Sequence, residues 1–135
     1  VTTPVLTFVL DTGALIALER ADRRLTALLV QVRAGQARVV VPDAVLAQVW
    51  RGGSGRQARI SALLGLGPQR CTSVPLDTAA AKRIGTAISE SGHRDVVDVH
   101  VAVVATDLGD AAVITSDRAD LVAAHPPLVS RIVDI

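Results

Sequence analysis

Val5-Leu6-Thr7-Phe8-Val9-Leu10-Asp11 and Ala111-Ala112-Val113-Ile114-Thr115-Ser116-Asp117 decide the reading of this chain. Each is a short apolar run that stops at an aspartate. Apolar, β-branched runs of this length read as buried strands. If both are parallel strands, their carboxyl ends lie where open α/β sheets place ligand sites. A second acidic pair, Asp95 and Asp98, is set in Asp95-Val96-Val97-Asp98-Val99-His100-Val101-Ala102. Ionised carboxylates are seldom embedded in apolar sequence without a partner.

Between these runs, helix and strand signals alternate. Ala14 to Arg20 reads as a short helix. Asp22 caps a second one, with Leu25, Leu28, Leu29 and Val32 on one face and Gly35 as its stop. Arg38 to Val41 reads as a strand, and Pro42-Asp43 opens a helix carrying Val45, Leu46, Val49 and Trp50. A basic, glycine-rich turn over 51–56 leads to a helix from about Gln57 to Leu64, then a strand from Cys71 to Val74. Asp77 caps an alanine-rich helix running to about Ser91, closed by Gly92. Asp117 to about Ala124 reads as a short helix, and Val129 to Ile135 as the last strand.

The segment from Asp95 to Asp107 carries two periods at once. Valines at 97, 99, 101 and 103 alternate as in a strand, while Asp98, Val101, Ala102, Ala105 and Leu108 share one helical face. Its length and the stop signal Leu108-Gly109-Asp110 favour a helix. The resulting order predicts a three-layer α/β/α sandwich around a parallel sheet of about five strands, as one domain over 1–135.

Composition narrows the function classes. The chain has 135 residues, half of them hydrophobic, which points to a surface covered by a partner. No run of about 18 apolar residues exists, so a membrane span is not expected. The first twenty residues lack a basic leader region, so no signal peptide is expected. A single cysteine, Cys71, excludes an internal disulfide and a cysteine-rich zinc site. It reads as a small buried hydrophobe in a reducing, cytoplasmic compartment. Net charge is +1, too small for a global field that attracts nucleic acid, and Lys82 is the only lysine beside many arginines.

Several motifs are absent or broken. His93, His100 and His125 show no metal-ligand spacing, and His100 among valines reads as a satisfied helix residue. Gly52-Gly53-Ser54-Gly55-Arg56 is only a broken nucleophile elbow, and no phosphate-cradling Gly-Lys loop is present. Asp11-Thr12-Gly13 lacks the second aspartate of a haloacid-dehalogenase-type phosphatase. Trp50 reads as a core or interface anchor.

Each aspartate alone has a structural explanation. Asp11 and Asp117 sit where helix caps belong, and Asp95 and Asp98 where acids complement a helix dipole. Together they imply three or four carboxylates converging at one end of the sheet. Like charges so close raise one another's pKa unless a divalent ion compensates. An all-oxygen cluster suits Mg²⁺ or Mn²⁺, which can activate water and stabilise charge on a phosphate.

Four stretches in this order resemble the PIN-domain ribonucleases, and specifically the VapC toxins of toxin–antitoxin pairs. They are Val9-Leu10-Asp11-Thr12-Gly13-Ala14-Leu15, the segment from Val41 to Arg51, Asp98-Val99-His100-Val101-Ala102, and Val113-Ile114-Thr115-Ser116-Asp117. The resemblance spans essentially the whole chain. It implies a PIN fold, dependence on Mg²⁺ or Mn²⁺, and endonucleolytic cutting of RNA, often tRNA. It also implies a cognate VapB-type antitoxin and a homodimer.

The family's first, third and fourth acids fall on Asp11, Asp98 and Asp117. The second, usually glutamate, falls on Gln48, a poor Mg²⁺ ligand that cannot act as a base. Asp95, about one helical turn from Asp98, is the expected substitute, with Asp120 in an outer position. Thr12 is expected to hydrogen-bond and orient the first acid. Arg51, Arg56 and Arg59 are expected near RNA phosphates, or else as solvated surface or an inter-subunit contact. The missing acid also leaves open a degenerate PIN module that binds RNA or antitoxin without cutting.

Overall fold

A computed structural model describes residues 4–53 and 55–135. Ser54, the serine of the broken elbow, lies outside the described residues. In chain order the elements are β1 (Leu6–Leu10), α1 (Thr12–Glu19), α2 (Arg23–Arg33), β2 (Ala37–Pro42), α3 (Asp43–Val49), α4 (Ala58–Leu64) and β3 (Cys71–Val74). There follow α5 (Thr78–Ser91), α6 (Val96–Leu108), β4 (Ala112–Thr115), α7 (Arg118–Ala124), a 3-10 helix (Pro126–Arg131) and β5 (Ile132–Asp134).

The five strands form one parallel sheet in the order β3-β2-β1-β4-β5. The chain builds outward from β1 through β2 to β3, then returns to lay β4 against the other edge of β1. That reversal makes a switch point between β1 and β4, where the helices that follow them diverge and leave a crevice. Val9 pairs with Val40 on one side and Val113 on the other, and Leu10 pairs with Ile114. The Asp11 amide donates to Ile114 O at 3.1 Å, so the contact persists one residue past the strand.

Strands buried on both faces need continuous apolar sequence, which β1, β2 and β4 have. On one face, Leu18 of α1, Leu25, Leu28 and Val32 of α2, and Leu63 of α4 close over Leu10 and Val39. The second helical layer consists of α5, α6 and α7 packed on one another, with α6 against β1 and β2. The result is a three-layer α/β/α sandwich. Each fully buried Leu or Val contributes about 1.5–3 kcal/mol of hydrophobic free energy.

Residues 96–108 are helical, and Val99, His100, Val101, Ala102, Val104 and Ala105 are all buried. A helix covered on nearly every side has no clean amphipathic stripe, which is why its valines also alternate like a strand. The last strand is shorter than its sequence suggested. Pro126 and Pro127 cannot donate to a ladder, and residues 126–131 instead form the 3-10 helix, leaving β5 only three residues. Arg131 bridges this corner, donating to Ala111 O at 2.8 Å and Ala105 O at 2.6 Å.

Cys71 is buried, and burial pushes its thiol up to about 11, as expected of a packing residue. Trp50 is 41% exposed at the end of α3 and is not part of the core. His100 is buried at 1% exposure, yet neither ring nitrogen has a hydrogen-bond partner among the described residues, against the expectation of a satisfied helix residue. Burial holds its pKa below the ordinary histidine value. Among the described residues, no helix is long and apolar enough to cross a membrane.

Candidate active site

The carboxyl end of β1 delivers Asp11 to the switch point. Asp11 is 4% exposed and stands at the cap position of α1. Its Oδ1 accepts from the Thr12 amide at 2.7 Å, and its Oδ2 accepts from the Thr115 hydroxyl at 2.8 Å. Thr115, the last residue of β4, is fully buried and also accepts from the Asp117 amide at 2.8 Å. One hydroxyl therefore fixes the relative placement of two acids that are far apart in sequence. Burial raises the Asp11 pKa; the Thr115 and Thr12 hydrogen bonds oppose this, and the Asp117 and Asp95 charges add to it.

Close approach of the two loops depends on Gly13. A Cβ there would overlap the Ser116 hydroxyl and lie 2.9 Å from Ser116 Cβ. Asp117 occupies the cap position of α7 but makes no capping hydrogen bond, so its carboxylate is not spent on the helix end. Arg118 follows directly, yet its guanidinium turns away to Asp134, with contacts of 3.0 and 2.7 Å to Oδ2. Asp120 lies one turn on, where the neighbouring Asp117 carboxylate raises its pKa.

The third contribution comes from the start of α6. Asp95 is its cap, with Oδ1 accepting from the Val97 amide at 2.9 Å and the Asp98 amide at 3.0 Å. Asp95 precedes the helix as its cap and Asp98 lies in the first turn, and both face the same cavity. Asp98 Oδ2 meets His93 Nε2 at 2.8 Å. Burial raises the Asp98 pKa first, the His93 contact opposes it, and the charges of Asp95, Asp11 and Asp120 raise it further.

Asp11, Asp95, Asp98, Asp117 and Asp120 line one cavity of about 270 Å³, together with Thr12, Gln48 and Ser116. No lysine or arginine is among the lining side chains. Within it and beside it, His93, Asp98 and Asp120 each place a ligand atom within 4.8 Å of the others. Carboxyls that raise one another's pKa with no lysine or arginine between them suit an added cation. The oxygen-rich lining suits a hard divalent ion. This grouping is consistent with a metal-dependent nuclease site.

Gln48, expected from the resemblance to replace an acid, also lines the cavity. Its Oε1 accepts from the Thr12 hydroxyl at 2.5 Å. The Thr12 hydroxyl thus serves Gln48, and only the Thr12 amide holds Asp11. None of the three candidate RNA-binding arginines lines the cavity. Arg51 donates to Trp50 O at 2.8 Å, near the end of α3. Arg59 donates to Glu19 O at 3.1 Å, while Glu19 accepts from the Arg59 and Ile60 amides at the head of α4. Arg56 is exposed in the glycine-rich turn.

Sequence reasoning missed His93 and Thr115. His93 has no second histidine at ligand spacing, although its position between the Gly92 stop and the Asp95 cap marks a turn into the site. Thr115 reads as one more strand residue, and only the pairing of β1 with β4 reveals its role.

No curated protein matches the sequence. The fold is similar to that in a crystal structure of VapBC2 from Rickettsia felis bound to a DNA fragment from their promoter. The similarity has a TM-score of 0.55 at 14% identity, and covers 82% of this chain and 88% of that one. At that identity the likeness speaks for the fold alone. The family model of the PIN domain matches residues 8–124, from β1 to the end of α7 and so through every acid of the cavity, and the chain belongs to the PIN-domain family.

Proposed function

We propose that this protein is a divalent-metal-dependent endoribonuclease, acting as the VapC-type toxin of a toxin–antitoxin pair. The observation that carries the reading is the gathering of five aspartates on one cavity whose lining has no lysine or arginine. Mg²⁺ or Mn²⁺ bound there would lower the pKa of water and offset the charge developing on a phosphodiester. Asp11, Asp98 and Asp117 are the acids assigned to hold it, and Asp95 is assigned the place of the missing second acid.

The chain's own part is to position these groups before substrate arrives, as electrostatic catalysis requires. Asp11 is fixed at both oxygens by Thr115 and Thr12, which leaves its other lone pairs available. Asp98 is steadied by His93. Free of cation, the Asp11 and Asp98 carboxyls each favour holding a proton more than an ordinary aspartate does; cation binding and proton release are therefore linked. Attack by water with departure of the 3′-oxygen leaves a 5′-phosphate and a 3′-hydroxyl. The substrate class is RNA, with tRNA the first to test, and Arg51 and Arg56 are the assigned phosphate contacts.

The natural partner in this reading is a VapB-type antitoxin with a disordered tail that folds on a groove of the domain. A lysine or arginine of that tail would satisfy the same carboxylates as the metal. The toxin alone is assigned a two-fold homodimer in the cytoplasm. The deciding experiment is incubation of purified protein with RNA and Mg²⁺ or Mn²⁺. Cleavage to 5′-phosphate ends is expected, and Asp98→Asn or chelation should abolish it.

Gln48 supports a second reading. A glutamine engaged by Thr12 stands where the family has an acid, which suits a module that binds RNA or antitoxin without cutting. RNA binding that persists with metal but yields no product would favour it.

A further inference from the structure

The link between α5 and α6 brings a histidine to the edge of the acidic cavity. α5 stops at Gly92, whose left-handed backbone (φ 74°) turns the chain. His93 follows, its amide donating to Ser91 Oγ at 3.1 Å. Its Nε2 lies 2.8 Å from Asp98 Oδ2, and the two side chains are only 18% and 14% exposed. A carboxylate oxygen of Asp120 completes the group within 4.8 Å.

The 2.8 Å contact is a hydrogen bond, and it is also close to the spacing of two neighbouring ligands on one ion. At about 2.1 Å from an octahedral ion, neighbouring ligands are about 3 Å apart and opposite ligands about 4.2 Å apart. The 2.8 Å between Nε2 and Oδ2 matches a neighbouring pair. A 4.8 Å limit on all three atoms admits either arrangement for Asp120. The donor set also differs in kind from an all-carboxylate cluster. Oxygen ligands suit Mg²⁺, whereas an imidazole nitrogen favours first-row transition ions.

We infer that His93 supplies an imidazole ligand to the divalent ion of this cavity, on the side where Asp98 and Asp120 stand, and that this nitrogen shifts the site's preference from Mg²⁺ toward transition-metal ions. The inference rests on the cavity being a cation site, as proposed above. The alternative role for His93 is a hydrogen bond that orients Asp98 without touching the ion. The two roles differ in what replacement does. An orienting partner helps every ion equally, whereas a nitrogen ligand helps those ions that accept nitrogen.

The test is spectroscopic and thermodynamic, and needs no turnover. The parent protein is loaded with Mn²⁺ and read by electron spin-echo envelope modulation, alongside calorimetric titration with Ni²⁺ and with Mg²⁺. Nitrogen modulation is expected in the parent and absent in His93→Gln. The chain has three histidines. His100 is shut in the core and His125 lines a separate groove between α5 and α6, so loss of the signal on replacing His93 assigns it. His93→Gln should lose roughly tenfold or more in affinity for Ni²⁺, an ion that accepts imidazole readily, and under about twofold for Mg²⁺. Equal losses for both ions, or Mn²⁺ bound by the parent without nitrogen modulation, overturn the inference and leave the cation site standing. The second of these needs no folded variant. Failure of the parent to bind Mn²⁺ at all overturns the cation site and the inference together.

Discussion

Gly13→Ala adds one methyl group at the seam between the start of α1 and the turn after β4. The new Cβ would overlap the Ser116 hydroxyl, lie 2.9 Å from Ser116 Cβ and 3.3 Å from the Ser116 amide nitrogen. The hydroxyl can rotate aside, but the Cβ and the amide move only with the backbone. Overpacking of this kind costs about 1–3 kcal/mol. Alanine recovers part of it through helix propensity, up to about 1 kcal/mol in a helix interior and less in a first turn. The net loss expected is on the order of 1–2 kcal/mol, a fall in Tm of about 3–8 °C for a domain of this size. The same displacement parts Asp11 from Asp117, which flank the seam, so Mn²⁺ affinity should fall as well. Ser116→Gly removes both side-chain atoms in the way, at about 0.5–1 kcal/mol for a new glycine. The assay is a double-mutant cycle of the parent, the two single variants and Gly13→Ala/Ser116→Gly, followed by thermal and urea unfolding without metal. The double variant should be more stable than the sum of the single effects predicts. A coupling energy near zero, or Gly13→Ala melting with the parent, refutes the close seam as a constraint on the site.

Other outcomes follow from the same geometry. Mn²⁺ at a hundredfold excess over its Kd should stabilise the parent by about 2.7 kcal/mol, and differential scanning calorimetry should show this shift vanish in Asp11→Asn/Asp117→Asn. The Asp98 pKa is raised in the fold, so its contribution is fully present below the ordinary aspartate value and lost as pH rises through the raised one. Metal-free Asp98→Asn should accordingly gain stability relative to the parent across that rise; a difference that is flat with pH would contradict the assignment. Asp95→Asn keeps a good helix cap and should fold normally, yet lose roughly a hundredfold in cleavage rate, as removal of one strong electrostatic contact can. Cleavage at the parent rate by Asp95→Asn, with Gln48→Ala inactive, would hand the second position back to Gln48.

The first four strands, and the acids that follow two of them, were legible in the amino-acid sequence, whereas the last strand was read too long. A buried parallel strand needs a continuous apolar run, and an aspartate can follow it only where the strand leaves the core at its end. Asp11 and Asp117 are therefore legible in the sequence as end-of-strand acids. The helix over 96–108 was legible from its length and its glycine stop, though burial on nearly all sides blurred its period. The tertiary structure alone decided what these residues meet. The strand order lays β4 against β1, and only then does the Thr115 hydroxyl reach both Asp11 and the Asp117 amide. Asp95 and Asp117 both occupy cap positions, but only Asp95 caps its helix. Arg118 sits beside Asp117 in sequence, yet β5 carries Asp134 to where it draws that guanidinium aside. The turn at Gly92 brings His93 onto Asp98, five residues away, and no repeating spacing encodes that contact. Local sequence sets backbone preference and burial, whereas a site joins side chains from separate crossovers, and those distances exist only once the sheet has closed.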